Sequence, residues 1–488
     1  MQRKSKTSLK LNIIMNALLS MSNFIFPLIT FPYVSRILLP EGTGKVSFAV
    51  SFISYFSMVA QLGIPTYGIR ACAQVRDKKE ELTRTAHELL MINLVMCCIS
   101  YFALFIALFT IPRLFEDRLL YLIVSATILL TSIGIEWLYK ALELYTYITV
   151  RSVIFKFVAL VFMFLLIHEK SDYVFYGGIS IFASSASNIL NLLNAHKYIG
   201  FKPVGNYDLK RHLKPVFIFF AMSFAVTVYT HLDTIMLGFM TTDVDVGYYN
   251  AAIKIKHILV SIVTSLGAVL LPRASYYIEK GLREDFTRIS KKAMHFVFAA
   301  AIPLVLYFIL YAKEGIYFLS GNNYDGSIVP MQIIMPTVFL IGITNIMGTQ
   351  MLVPLGHERI VLYSEIAGGV VDVVINALLI PQFKASGAAI GTLVAEAVVL
   401  IVQYMTIKKE QFHFDISKYL YRILISSLVA AAIAYLFKCL KLPNHMVLLL
   451  SLGSFGIIYL LILLVLKDDL LQEIITTISK KLRKQTQT

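Results

Sequence analysis

Seven ionisable side chains interrupt otherwise apolar stretches of the chain: Arg151, Lys156, Asp233, Lys254, Glu365, Asp372 and Glu396. A charge at membrane depth is costly, so such groups normally face a water-filled cavity, a partner or an ion path. Helical phase sorts them further. Asn250, Lys254, His257, Ser261 and Thr264 recur at i, i+4, i+7, i+11 and i+14 and share one face, whereas Lys256 lies about 200° from Lys254. Glu365, Asp372 and Asn376 share a second face, and Thr392, Glu396 and Gln403 a third. Arg151 is close enough to a span end to snorkel to the interface, but Lys156 and Lys254 lie too deep for that. Deep cations beside hydroxyl and aromatic groups suit an anionic ligand, phosphate above all, which Lys meets as a point charge and Arg as a bidentate fork. Deep carboxylates suit a coupling proton or sodium ion, and Asp372, Glu396, Asp233 and Glu365 are the candidates. A cavity holding both kinds of charge points to transport rather than to bond-making. The chain has no Walker A loop, no GxSxG, no HExxH and no zinc-type cysteine pair. ATP-driven pumping by this chain is therefore not expected, nor any cofactor beyond a Na+ or H+ coupling ion.

The elements that must carry these residues are membrane-spanning helices. Of 488 residues, 58% are hydrophobic and only 15% charged, far from the balance of a soluble domain. Fourteen apolar spans are expected between about residue 11 and residue 466, each near the roughly 20 residues that cross about 30 Å of hydrocarbon. The runs are continuous rather than alternating, which calls for an all-α polytopic protein and not a barrel. The first span follows the basic segment MQRKSKTSLK without a small-residue cleavage site, so a retained helix is expected rather than a removed signal peptide. With both termini cytoplasmic, roughly 30 Lys and Arg fall inside against roughly 9 outside. The net charge of +15 is then an orientation signal, and no nucleic-acid partner is expected. The amphipathic tail after Lys467 is expected to lie along the membrane surface. Cys72, Cys97, Cys98 and Cys439 suggest neither a disulfide framework nor a metal site.

Two segments repeat. GKVSFAVSFIS from Gly44 matches GYYNAAIKIKH from Gly247, and LLIHEKSDYVFYGGIS from Leu165 matches LLIPQFKASGAAIG from Leu378, at offsets of 203 and 213 residues. Two six-helix lobes follow, 1–197 and 213–407, joined by a cytoplasmic linker at 198–212 and extended by helices 13 and 14 within 408–466 and a cytoplasmic tail at 467–488. Corresponding helices enter from the same side, the pattern of a parallel repeat about an axis along the membrane normal.

Four stretches carry a resemblance: 31–70, 135–156, 233–275 and 353–396. In that order they resemble the polysaccharide-transport flippases of the multidrug/oligosaccharidyl-lipid/polysaccharide exporter superfamily. The resemblance implies a bacterial plasma-membrane protein of two six-helix lobes that flips an undecaprenyl-diphosphate-linked oligosaccharide to the outer leaflet for cell-surface polysaccharide synthesis. It implies that cations in a central cavity receive the diphosphate, and Arg36, Arg70, Arg151, Lys156 and Lys254 fall within the matching motifs. Asn250 and His257 join the expected binding set through the Lys254 stripe. Expected partners are the lipid-linked oligosaccharide, membrane lipids and polysaccharide-assembly proteins. Glu136, Trp137 and Glu143 match an acidic and aromatic cluster in which a glycine often precedes the second Glu; Ala141 and Leu142 stand here instead. The alternatives are a cation-coupled drug exporter of the same superfamily, which would favour a carboxylate-dominated cavity, and a membrane polysaccharide polymerase or ligase, which would need a large outside loop.

Overall fold

The computed structural model describes residues 9–476 apart from 411, 413, 415, 441 and 474, and among these residues the regular structure is entirely helical. The basic amino-terminal segment and most of the amphipathic carboxy-terminal tail lie outside the described residues. Nine described helices are long and apolar enough to cross a membrane, or ten with one bent pair counted as a span. Two of them are double-length. Leu9–Gln61 has 53 residues and Glu358–Lys409 has 52, each about 80 Å at 1.5 Å per residue against about 30 Å of hydrocarbon. Each is broken once, at Leu39 (φ 59°) and at Lys384 (φ 51°). Pro40 follows Leu39 and disfavours helical backbone there. Two pairs of expected spans are thus joined through a single left-handed residue.

The remaining spans are present in pieces. The sixth runs as Tyr173–Ile181, a π turn at Phe182–Ala186 and Asn188–Asn194. The eighth runs as Asp243–Thr264 and Gly267–Glu279. The tenth bends by 41° between Asn322–Ile334 and Pro336–Leu352, where Pro336 removes a backbone donor. These fragments are consistent with fourteen spans.

The chain divides into two compact units, Met1–Gly247 and Tyr248–Thr488. In the first, Lys210–Met240 packs antiparallel along Leu9–Gln61 and the following helix Ile64–Val75. A Cβ on Gly238 would lie 2.1 Å from the Phe48 ring, His231 meets Ser51 Oγ at 3.2 Å, and Tyr67 meets His212 Nδ1 at 2.8 Å. Small residues let the helices approach without lipid between them. Packing therefore groups Lys210–Met240 with the first unit, whereas the sequence repeat starts the second lobe at this helix.

At one end of this seam the repeat glycines meet reciprocally. A Cβ on Gly44 would lie 1.8 Å from the Asp243 carbonyl oxygen, and one on Gly247 would lie 2.0 Å from that of Pro40. Both pairs are related by the 203-residue offset. Arg113 braces the crossing: it donates to the Thr241 carbonyl at 3.1 Å and pairs with the Asp243 carboxylate at 2.8 Å.

In the second unit Ser417–Tyr435 and Asn444–Val465 are tied to Arg283–Leu310 by buried polar contacts. Tyr307 donates to the Leu448 carbonyl at 2.9 Å, and His295 Nε2 meets Asp468 at 2.9 Å under a stacked Tyr419 ring. Burial alone would raise the Asp468 carboxyl, but the His295 contact and the Leu470 and Leu471 amides hold it below the usual carboxylate range.

Candidate functional site

The Asp243–Thr264 helix separates the two lysines that share its sequence. Lys256 is buried, Lys254 and Asn250 are half-buried and His257 is exposed. The two lysines therefore differ in burial, as two positions about 200° apart on one helix can. Further along the same stripe, Ser261 and Thr264 donate to the Ile258 and Val260 carbonyls of their own helix, so they serve the backbone rather than a ligand.

The buried carboxylates of the second unit lie on Glu358–Lys409. Asp372 is 1% and Glu396 5% exposed, while Glu365 is half-buried. Asn376 donates to Asp372 at 3.2 Å, and Tyr249 bridges to Thr392 at 2.9 Å. Gly391 makes the approach possible, since a Cβ there would sit 2.1 Å from Asn376 Oδ1 and 2.9 Å from Asp372 Oδ1. The expected faces Asp372–Asn376 and Thr392–Glu396 therefore meet across the Lys384 break. Oxygen ligands of this kind suit a proton or a hard cation such as sodium.

The first unit holds the other candidates, and two of its cations are already surrounded. Arg151, 4% exposed, pairs with Glu136 at 2.9 Å and donates to Ser187 at 2.7 Å and Asn188 at 3.1 Å. Glu136 also holds Lys140 at 2.8 Å. Lys156 is 8% exposed and donates to Ser22 Oγ at 2.7 Å and to Asn23 Oδ1. Asn23 shares one face of the first span with Asn16, Ser20, Pro27 and Thr30, and Ser187 shares one face of the sixth with Ser180, Ser184, Asn191 and Asn194. These stripes solvate buried cations, a role that helical phase alone did not reveal. A diphosphate reaching Arg151 would have to displace Glu136. Arg36 and Arg70 are exposed, Arg36 capping the Pro32 carbonyl of its own helix, and Asp233 is buried. The turn lacking the usual glycine is still made: Glu143 itself takes φ 60° and pairs with Arg76 at 2.8 Å. Trp137 packs over Gly68, where a Cβ would meet the ring at 2.9 Å.

One network escaped the sequence reading. Glu88 is fully buried on Lys79–Thr110. It accepts the Asp208 amide at 2.7 Å, Arg211 Nε at 3.1 Å and His212 Nε2 at 2.8 Å. His87 beside it contacts Tyr207 at 3.0 Å and the Gly200 carbonyl at 2.8 Å. The linker expected to be a plain connector is thus fastened to the first unit. Its only signal was an acidic and a histidine residue placed side by side in a span.

A model of the family described as polysaccharide biosynthesis protein matches residues 9–278, more than half of the chain. The chain belongs to that family. It is a multi-pass membrane transporter of the flippase class and not an enzyme. A relative from Escherichia coli (strain K12) named "Putative O-antigen transporter" is 25% identical over 410 residues, covering 83% of this chain and 98% of its own. A protein of the same name from Shigella dysenteriae is 25% identical over 411 residues, covering 82% and 100%. Two solved structures share the fold: a lipid II flippase in an inward closed conformation, with TM-score 0.74 and 16% identity over 94% of this chain and 99% of the other, and an inward-facing multidrug resistance transporter of the same superfamily, with TM-score 0.62 and 14% identity over 82% and 98%.

Proposed function

We propose that this chain flips undecaprenyl-diphosphate-linked oligosaccharide repeat units from the cytoplasmic to the outer leaflet of a bacterial plasma membrane, with both termini cytoplasmic. The observation that carries this reading is Lys254: a cation deep in a span, on the half-buried flank of its helix, while its neighbour Lys256 is buried. Lys254 receives the diphosphate with Asn250 and His257 beside it on the same helix, while Arg151 in the first unit is already paired with Glu136. The lipid tail stays in the bilayer while the glycan passes through a wet path, and polysaccharide-assembly proteins take it onward. Alternating access is driven by a proton or sodium gradient or by the membrane potential, about 2.3 kcal/mol per charge per 100 mV, with Asp372, Glu396, Asp233 and Glu365 as coupling groups. The full-length relatives named for O-antigen transport support a glycan substrate over a drug.

The test is glycan export in a host that depends on this chain. Lys254→Ala should abolish export at unchanged protein level, and Lys256→Ala should act mainly through protein level. Equal export from Lys254→Ala and wild type would remove the phosphate clamp, and resistance to cationic dyes without glycan export would move the reading to the drug exporters.

A further inference from the structure

We infer that the polar end of the Arg283–Leu310 helix is a seat for the headgroup of an anionic phospholipid. The helix has 28 residues, about 42 Å at 1.5 Å per residue against about 30 Å of hydrocarbon. Its apolar run begins only at Ala293, after Lys291 and Lys292, so nearly three turns at its start project out of the hydrocarbon to the depth of lipid phosphates. Those turns line a shallow, open depression of about 520 Å³ with Arg283, Glu284, Thr287, Arg288, Lys291 and Lys292. At about 100° per residue the four cations and one carboxylate spread over half of the helix circumference, and Arg288, Lys291 and Lys292 fall within about 100° of one another.

Three of these cations have weak competing partners. Arg288 pairs with Asp285 one turn away, Lys292 with Glu473 at 2.7 Å and Arg283 with Glu410 at 3.7 Å. The three side chains are 66%, 50% and 69% exposed, and ion pairs that open to water contribute about 0–1 kcal/mol. A phosphate accepts from an Arg fork in two parallel bonds and from a Lys ammonium at once, which an isolated carboxylate on a mobile stem does less well. Tyr276 and Leu282, just before the helix, are 53% and 42% exposed. Leu282 directly precedes Arg283, and an exposed aliphatic group next to a cationic surface matches the boundary between headgroup and acyl chain, where a lipid presents both surfaces and a free anion only one. Because Lys292 also holds Glu473, a bound headgroup competes with the segment that follows Asp468.

The experiment is lipid retention by purified full-length protein, read by native mass spectrometry after equilibration with phosphatidylglycerol or phosphatidylcholine. Wild type should retain phosphatidylglycerol preferentially. Arg288→Gln/Lys292→Gln should reduce that retention about tenfold or more, since each cation near an anionic surface is worth about 1 kcal/mol. Lys197→Gln/Lys202→Gln, which removes the same charge from exposed positions elsewhere, should leave it within about twofold. Equal retention of the two lipids, an equal loss in the two double variants, or displacement of phosphatidylglycerol by inorganic phosphate at comparable concentration would each overturn the inference, the last assigning the site to a soluble anion.

Discussion

Gly44→Ala should destabilise the first unit, and Gly247→Ala should do so to a similar extent. The added methyl at position 44 would begin 1.8 Å from the Asp243 carbonyl oxygen, and at 247 it would begin 2.0 Å from that of Pro40, whereas 3.4 Å is where ordinary contact starts. The obstacle is backbone, which cannot rotate aside as a side chain would, so the segments must part by well over an ångström. Parting them pulls Thr241 and Asp243 from Arg113, which holds both. Overpacking of this kind costs typically about 1–3 kcal/mol. At about 2–4 °C per kcal/mol for a unit of this size, the melting midpoint should fall by at least about 2 °C. The double variant should lose less than the sum, because one separation of the segments relieves both clashes. Thermal unfolding of purified protein, followed together with glycan export, reads both effects. A Gly44→Ala protein that melts with wild type, or a double variant whose losses simply add, would refute the reciprocal crossing.

Glu88→Gln should loosen the linker: a carboxamide cannot accept from Arg211 and His212 as a carboxylate does, and removing one partner of a buried pair costs about 3–5 kcal/mol before discounting for Arg211, which is 44% exposed. Faster proteolysis within 198–212 is the readout, and an unchanged rate would mean the network is dispensable. Asp468 is held below the usual carboxylate range, so its stabilising contribution is present at neutral pH and is lost as pH falls below about 4. Wild type should therefore lose melting temperature toward acid more steeply than Asp468→Asn, which starts lower; parallel profiles would refute this. Ser51→Lys should reduce folded protein sharply, because Ser51 is 6% exposed against His231 in the seam and a new cation there has no solvating shell. Normal accumulation of that variant would show that the seam opens to water.

Composition and periodicity made the helical membrane fold legible, because hydrocarbon forces every backbone group into helical bonds. They were less informative about where spans begin and end, since a single residue, Leu39 or Lys384, replaces a loop and no local composition marks it. The separation of Lys254 from Lys256 was legible from phase, which is intrinsic to one helix, whereas the meeting of Asp372 with the Thr392 face across the Lys384 break was not. What Arg151 and Lys156 touch was not, because their partners Glu136, Ser187, Ser22 and Asn23 come from other elements. The same holds for Glu88, whose partners lie about 120 residues away.

The repeat carries a further lesson about how a duplicated segment serves two ends. Gly44 and Gly247 occupy equivalent positions and keep the same task, each admitting the other segment's carbonyl. Two turns further on, the equivalence is spent differently. Ser51, 203 residues before Lys254, is buried against His231 in the seam, where a small hydroxyl fits and an ammonium would be stranded. Lys254 is half-buried on its helix. Helical phase is shared by the two positions, so phase did not decide which becomes charged. Burial does separate them: Ser51 is buried within the first unit's helix seam, while Lys254 is half-buried on its own helix.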